Sequence, residues 1–335
     1  MKAWTLIAHG APEKAFALRE HPDPRTNPAQ VLIRVEGFGL NYADAMAVRG
    51  LYREAPPLPC IIGYEVVGRV EHAGSAAPQD LVGQRVVAMT RFGGYGELAV
   101  TDHRACALIP ENLPLGEALA LATQGVTAWY MAKVLCPLHA GERVLVHSAA
   151  GGVGQLLVQL AAHAGCEVIA VVGNASKAPR AQQLGATHVI DRSAGDYETQ
   201  ARTILGKHRL DASFNAVAGR TFKKDLRLIG SGGRLVLFGG AERGGTSTLG
   251  FVWRMGLLLP IFLMMKSRSI LGVNMLKLGD FKPDLVARCL RETVEAHGSG
   301  ILRPLVHDVL PAERLIQAHQ ALASGRTMGK VALTW

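Results

Sequence analysis

The chain has 335 residues, 49% hydrophobic and 19% charged, with a formal net charge of +9 at pH 7. That length suits one large or two ordinary domains, and the composition excludes a disordered chain. The positive charge is spread along the sequence without a Lys/Arg run, so no nucleic-acid partner is expected.

Residues 1 to 121 read as short strands broken by turns. "VLIRVEGFGL", "EVVGRVEHAG" and "QRVVAMT" alternate apolar and polar residues or carry β-branched ones, and "HPDPRTNP" is a turn cluster. The opening "MKAWTLIAHG" has no long apolar core, so no secretory signal is expected. Cys60, Cys106, Cys136, Cys166 and Cys289 lie far apart with no C-x-x-C. They give neither a zinc knuckle nor a disulfide framework, and a reduced, cytoplasmic chain is the expectation.

From 122 to 275 strands alternate with helices. "RVLVHS" is a buried-strand run, and "GQLLVQLAAHAG" is a helix by the spacing of Leu156, Leu157, Leu160 and Ala161, with Gly165 as its stop. "EVIAVVG" is the next strand, and "SKAPRAQQLGA" is a helix with Pro179 in its first turn. "THVID", "DASFNAV" and "GRLVLFGG" are later strands. This alternation predicts an α/β fold with a doubly wound parallel sheet.

The most apolar run, "FVWRMGLLLPIFLMM" at 251–265, is interrupted by Arg254 and Pro260. It falls short of the roughly 20 residues a spanning helix needs, so it is expected to be a buried lining or a subunit contact, with no transmembrane segment. "PDLVARCLRETVEAHG" is a further helix, and the tail from 307 reads strand, helix, strand. The tail is expected to return to the first domain, so that 1–121 joins 276–335 and 122–275 stands as the second domain.

Between "RVLVHS" and its helix lies "SAAGGVG", where Ala149, Gly151 and Gly154 fill the three positions of G-x-G-x-x-G. Gly151 lets backbone approach a pyrophosphate, Gly154 lets the helix pack closely, and the helix N-terminus offers N–H groups and partial positive charge. Ala150, Gly151, Gly152, Val153 and Gly154 are therefore the candidate phosphate loop. An NAD site carries Asp or Glu about 20 residues further on. "VVGNASKAPR" holds no acid there. Gly173, Ser176 and Lys177, with Arg180 and Arg192 beyond, suit instead a 2′-phosphate, which a carboxylate would repel. NADP(H) is the expected cofactor. Asn215 and Phe238, Gly239 and Gly240 fall at later strand ends, where cofactors lie.

"GLNYADAMAVRGLY", "IIGYEVVGRV", "QGVTAWYMA", "VLVHSAAGGVG" and "GRTMGKVAL" carry a wider resemblance. Over nearly its whole length the chain resembles the medium-chain dehydrogenase/reductase superfamily, in its zinc-free, zeta-crystallin-like quinone oxidoreductase branch. "ILGVNMLKLGD" and "RMGLLLPIFLMM" are similar to the late region of the vesicle amine transport protein-like group. The resemblance implies a GroES-like β domain plus a Rossmann domain, an active-site cleft between them, and homodimers joined through late Rossmann strands. It implies that Thr127 and Asn274 lie near the nicotinamide.

Zinc members of the superfamily carry Cys and His ligands where this chain has Asn41 and Tyr64, which are poor zinc ligands, so no metal is expected. Without a Lewis acid, oxidation of a simple alcohol is poorly supported. The resemblance implies hydride transfer from NADPH to a quinone, or to the activated C=C of an α,β-unsaturated carbonyl. Asn41, Tyr52 and Tyr64 are the candidate donors to the oxygen that gains charge. Asp44 and Glu65 are expected to hold this loop through salt links. The twelve histidines show no ligand spacing and are read as surface or core. The alternative reading is an NADP(H)-binding interaction protein with little turnover, associated with a membrane surface.

Overall fold

A computed structural model describes residues 1–245 and 247–335. The chain separates into Met1–Thr127 with Met275–Trp335 (unit 1) and Ala128–Asn274 (unit 2). Unit 1 opens with strands β1 (Lys2–Leu6), β2 (Phe16–Glu20), β3 (Gln30–Leu40), β4 (Glu65–Ala73), β5 (Arg85–Met89), β6 (Leu98–Asp102) and β7 (Cys106–Leu108). Unit 2 carries β8 (Arg143–His147), β9 (Glu167–Val172), β10 (His188–Asp191), β11 (Leu210–Asn215), β12 (Ile229–Leu237) and β13 (Ser269–Gly272). The chain returns to unit 1 for β14 (Val306–Pro311) and β15 (Lys330–Thr334).

The large sheet of unit 1 runs β14-β15-β3-β4-β5-β7, with β6 also paired to β3. Its core is the inward face of these strands, including Ile33, Phe38, Val66 and Val86. β15 lies antiparallel to β3, with Val331 opposite Leu40. The last strand of the sequence is thereby fixed beside the start of the helix Tyr42–Val48. Gly39 is required at this crossing: a Cβ there would collide with the Glu65 carboxylate and the Lys330 amine. Between Leu121 and Gly125 the helical path widens into a π turn, a distortion that frees backbone groups for other partners.

Unit 2 is a parallel sheet ordered β10-β9-β8-β11-β12-β13. Its central strands β8, β9 and β11 are almost wholly buried, which explains their unbroken apolar runs. The chain builds outward from β8 through β9 to β10, then crosses to β11 on the other side of β8. That reversal creates a crevice at the carboxyl ends of the strands, the usual ligand position in such sheets. The helix Gly152–His163 ends as its pattern predicts, with Gly165 at φ +79°. The next helix is shorter than expected, Ala178–Gln183, after a 3₁₀ turn at Ala175–Lys177.

The run at 251–265 departs from expectation. In the single chain it is not a buried lining. It forms parts of two helices, Thr248–Met255 and Pro260–Lys266, of 8 and 7 residues. Gly256, at φ +72°, ends the first, and Pro260 starts the second. Trp253 is 83% exposed and Leu257 88%. Leu249–Lys266 is apolar enough to cross a membrane, with mean hydropathy 1.5. Split in this way, neither helix alone reaches the length that a span requires.

Candidate active site

The glycine turn of unit 2 follows directly from β8. Ser148 takes a left-handed conformation (φ +52°), and its carbonyl accepts a 2.8 Å hydrogen bond from the Gly151 N–H. Gly151 caps the helix Gly152–His163, whose first turn contains no acid. A Cβ on Gly151 would stand 3.1 Å from Ser148 O, and one on Gly154 would be 2.8 Å from the Ser148 carbonyl carbon. The helix therefore seats against the turn only because Gly154 has no side chain. Ala150 is buried, while Gly152 and Val153 are half-buried. The helix N-terminus directs N–H groups and partial positive charge at this turn.

Across the crevice, β9 ends at Val172, and a Cβ on Gly173 would meet nothing within 4 Å. Ser176 bonds the Asn174 carboxamide at 2.6 Å. Lys177 is buried, and its amine is pushed below the usual lysine range by burial and by the Arg192 charge. The structure thus brings Lys177 and Arg192 close enough to repel each other, an arrangement that favours an anion between or beside them. Arg180 is engaged elsewhere, donating to Gln183 at 3.0 Å.

Two residues expected at the cofactor spend their side chains inside the protein. The Asn215 side chain is fully buried: Nδ2 donates to Thr221 and Asp225, and Oδ1 accepts from the N–H groups of Val217 and Ala218 at 2.8 Å. Its side chain is spent on shaping the turn after β11 and offers nothing to a ligand. Thr127 is buried in unit 1, and its hydroxyl donates to the Thr123 carbonyl at 2.5 Å, so that proton is not available to a nicotinamide. Asn274, by contrast, is exposed at the end of unit 2. Phe238 donates its N–H to Asn215 O at 3.2 Å, and Gly239 approaches Ala216 O so closely that a Cβ would stand 2.7 Å away. Gly240 follows on the same loop.

Sequence reasoning missed the hub behind this crevice. Asp225 is fully buried and accepts from His147 Nε2 (3.0 Å), Tyr197 (2.9 Å), Ser213 (3.0 Å) and Asn215 (2.5 Å). It ties the ends of β8 and β11 to the helix Arg220–Leu228. His147, read as a surface or core histidine, is the last residue of β8 before the glycine turn. A polar residue at the end of a buried strand run was the available signal.

In unit 1, Asn41 starts the helix Tyr42–Val48 and is 6% exposed. Its Nδ2 donates to Glu65 at 2.9 Å, and its Oδ1 accepts from Gln124 at 3.2 Å and Lys330 at 3.5 Å. Glu65 is ion-paired with Lys330, both fully buried, and also accepts the Thr123 N–H at 2.9 Å, which the π turn makes available. The expected salt link at Glu65 therefore exists. Asp44 has none. Its Oδ2 accepts the Asn41 backbone N–H at 2.8 Å, and its Oδ1 has no partner. The Lys330–Glu65 pair was missed, although a lysine in the apolar strand "GKVAL" signals a buried partner.

Tyr64 is 4% exposed, and its hydroxyl has no hydrogen-bond partner. Its ring meets Tyr52 edge-on at 5.9 Å and Phe92 at 5.4 Å. Phe92 is held at φ +115°, a costly conformation for a non-glycine residue. Burial raises the phenols of both tyrosines, and Tyr52 is pushed up to about 12 by burial and then by the Glu54 and Asp44 charges. Both therefore keep their protons near neutral pH. These residues do not fit a catalytic zinc. The Asn41 amide is already committed to Glu65, Gln124 and Lys330, and a buried phenol that retains its proton is no ligand. Among the described residues no three His, Cys, Asp or Glu side chains cluster as a metal would require.

Two family descriptions match the chain: "Alcohol dehydrogenase GroES-like domain" over residues 27–133 and "Zinc-binding dehydrogenase" over residues 152–291. The quinone oxidoreductase of Pseudomonas aeruginosa is 30% identical over 335 residues, covering 98% of each chain. The human synaptic vesicle membrane protein VAT-1 homolog is 29% identical over 340 residues, covering 99% of this chain and 86% of the relative. Among solved structures, Escherichia coli quinone oxidoreductase complexed with NADPH superposes with a TM-score of 0.89 at 25% identity, covering both chains fully. With a GroES-like domain, a parallel dinucleotide-type sheet and a full-length relative at this identity, the chain belongs to the quinone oxidoreductase-like branch of the medium-chain dehydrogenase/reductase superfamily.

Proposed function

We propose that this protein is an NADPH-dependent oxidoreductase that passes hydride, without a metal, to a quinone or to the activated C=C of an α,β-unsaturated carbonyl. The observation that carries the reading is the glycine turn after β8 beside a β9 end where Lys177 and Arg192 lie close together, the nearby Asp191 carboxylate of β10 being taken up by Ser193 and the backbone of Ala175. The residues fit the cofactor. Backbone N–H groups of 150–154 would hold the pyrophosphate, open space at Gly173 would admit the adenosine side, and Ser176, Lys177 and Arg192 would bind the 2′-phosphate. NADPH supplies the hydride. The NADPH-bound E. coli relative supports the same cofactor.

The protein's own part is to orient the acceptor and to meet the charge that builds on its oxygen. Asn41, Tyr52 and Tyr64 are the proposed donors there, Asn41 with the N–H that Glu65 does not take. Five free thiols fit a reducing, cytoplasmic setting. A homodimer belongs to this reading, supported by β13 standing at the outer end of its sheet and by the exposed apolar residues of 249–265. Light scattering of the purified protein tests it.

The functional test mixes purified protein with NADPH and a panel of quinones, enals and enones while absorbance is followed. Acceptor-dependent NADPH oxidation, faster than with NADH, is expected. Tight NADPH binding without oxidation across the panel overturns the enzyme reading. That outcome would favour the second reading, an NADP(H)-binding interaction protein at a membrane surface, which the exposed apolar run at 249–266 supports.

A further inference from the structure

Tyr52 lies on the loop between the helix Tyr42–Val48 and β4, and Phe92 on the loop between β5 and β6. Neither is held by a helix or strand, yet both rings pack against the buried Tyr64. Tyr52 and Phe92 are only half-buried, so part of each residue stays open to a ligand. Phe92 is also strained. Its φ of +115° is one that only glycine adopts readily, and such a residue persists where its surroundings over-determine it.

Those surroundings include the helix Met275–Phe281, the first element after the chain returns to unit 1. Its Asp280 accepts two hydrogen bonds from the Arg91 guanidinium, from Nε at 2.7 Å and from Nη2 at 2.9 Å. On the same helix, Lys277 Nζ lies 3.3 Å from Glu54 Oε2. Positions i and i+3 share a helix face, so one face of this short helix reaches both loops. The Arg91 guanidinium lies 6.0 Å from the centre of the Phe92 ring. Glu54 and Arg91 are both near enough to Tyr52 for their charges to act on its phenol. Most exposed ion pairs hold little, because two long side chains must be kept still in water. The Arg91–Asp280 pair differs in being a two-bond fork, with Asp280 only 25% exposed.

We propose that the helix Met275–Phe281 is a clamp on the acceptor wall: Asp280 and Lys277, acting through Arg91 and Glu54, hold Phe92 and Tyr52 against Tyr64, and this wall selects flat, conjugated quinones over small aliphatic enals. The proposal rests on the oxidoreductase reading and narrows its acceptor class. Aromatic rings reward another ring with offset or edge-on contact, which a small enal cannot supply. Asp280, Lys277, Arg91 and Glu54 touch no acceptor in this scheme, so they are positioning residues. Releasing them loosens the fit of the acceptor and leaves the cofactor turn of unit 2 as it was.

The test compares wild type, Asp280→Ala, Arg91→Ala, the double variant and Phe92→Leu at saturating NADPH, with naphthoquinone and crotonaldehyde as acceptors. Wild type should have the higher kcat/KM for naphthoquinone. Each single variant of the pair should raise the naphthoquinone KM about 3- to 10-fold, and the crotonaldehyde and NADPH KM values should stay within about twofold. The double variant should be no worse than either single one, because the pair is already lost in each. Sodium chloride at about 1 M screens an exposed pair, so it should raise the naphthoquinone KM of wild type and not that of Asp280→Ala. Phe92→Leu keeps apolar bulk without the ring and should lose the same preference, which keeps the test decisive if the pair variants fold poorly. An unchanged naphthoquinone KM, equal rises for both acceptors, additive losses in the double variant, or a lower Tm without any split between acceptors overturns the clamp. A wild type that prefers crotonaldehyde overturns the clamp and leaves the oxidoreductase reading standing. A wild type that oxidises NADPH with no acceptor overturns that reading, and the clamp falls with it.

Discussion

Gly154 and Gly173 make a matched pair for testing the phosphate site, because the same added methyl group meets opposite surroundings. At Gly154 a Cβ would stand 2.8 Å from the Ser148 carbonyl carbon and 2.9 Å from Ala149 Cα, both backbone atoms that cannot rotate away. Ordinary carbon contacts lie near 3.5–4.0 Å, so the helix must lift from the turn by about 1 Å. Overpacking of this kind costs about 1–3 kcal/mol. For a unit of this size that lowers Tm by roughly 2–10 °C. The lift also strains the Gly151 N–H to Ser148 O bond that shapes the turn. At Gly173 a Cβ meets nothing within 4 Å, so Gly173→Ala should leave Tm within about 1 °C. Thermal denaturation and fluorescence titration with NADPH read both effects. Gly154→Ala should lose stability and NADPH affinity together, and Gly173→Ala should lose affinity alone, the methyl group occupying space meant for the cofactor. Equal Tm values for the two variants would refute the packing argument. Wild-type NADPH affinity in Gly173→Ala would refute the placement of the cofactor.

Lys177→Ala removes one charge-assisted contact to the proposed 2′-phosphate, worth about 1.5–3 kcal/mol, so the NADPH KM should rise roughly 10- to 100-fold. The NADH KM should barely move; a parallel rise in both would remove Lys177 from cofactor selection. The Asp44 carboxyl is raised from 3.8 to about 8 in the folded chain, so native protein holds a proton that unfolded protein releases across that window. Its contribution to stability is therefore complete below about pH 4 and lost as pH rises to about 8. Urea unfolding at pH 5 and pH 8.5 should show a smaller loss in Asp44→Asn than in wild type, and equal losses would contradict the assignment. Asp225→Ala strands the buried donors of His147, Tyr197, Ser213 and Asn215 and should cost about 3–5 kcal/mol. Because that hub supports the ends of β8 and β11, NADPH affinity should fall even at temperatures where the variant stays folded.

Much of unit 2 was legible in the sequence because it is local. A buried strand, a glycine turn and the amphipathic helix Gly152–His163 follow one another within some twenty residues, and each is fixed by spacing, backbone freedom or missing side chains. The absence of an acid after β9 is equally a local fact. Polar partnerships were not legible in this way. Lys330 meets Glu65 across 265 positions and Asn41 across 289, and only the antiparallel pairing of β15 with β3 brings them together. Asp225 gathers donors from β8, β11 and the helix Tyr197–Leu205, so its role exists only once the sheet is assembled. Asn215 and Thr127 were expected at a cofactor from their places in the sequence, but tertiary packing spends their polar atoms on backbone and on Asp225. The run at 251–265 shows the same division: its composition announced an apolar surface, while the break at Gly256 and Pro260 decided that the single chain leaves it uncovered. Sequence determined which segments fold and where the glycine turn falls. Only the folded sheets determined which buried charges are paired, because pairing depends on distance in space and not along the chain.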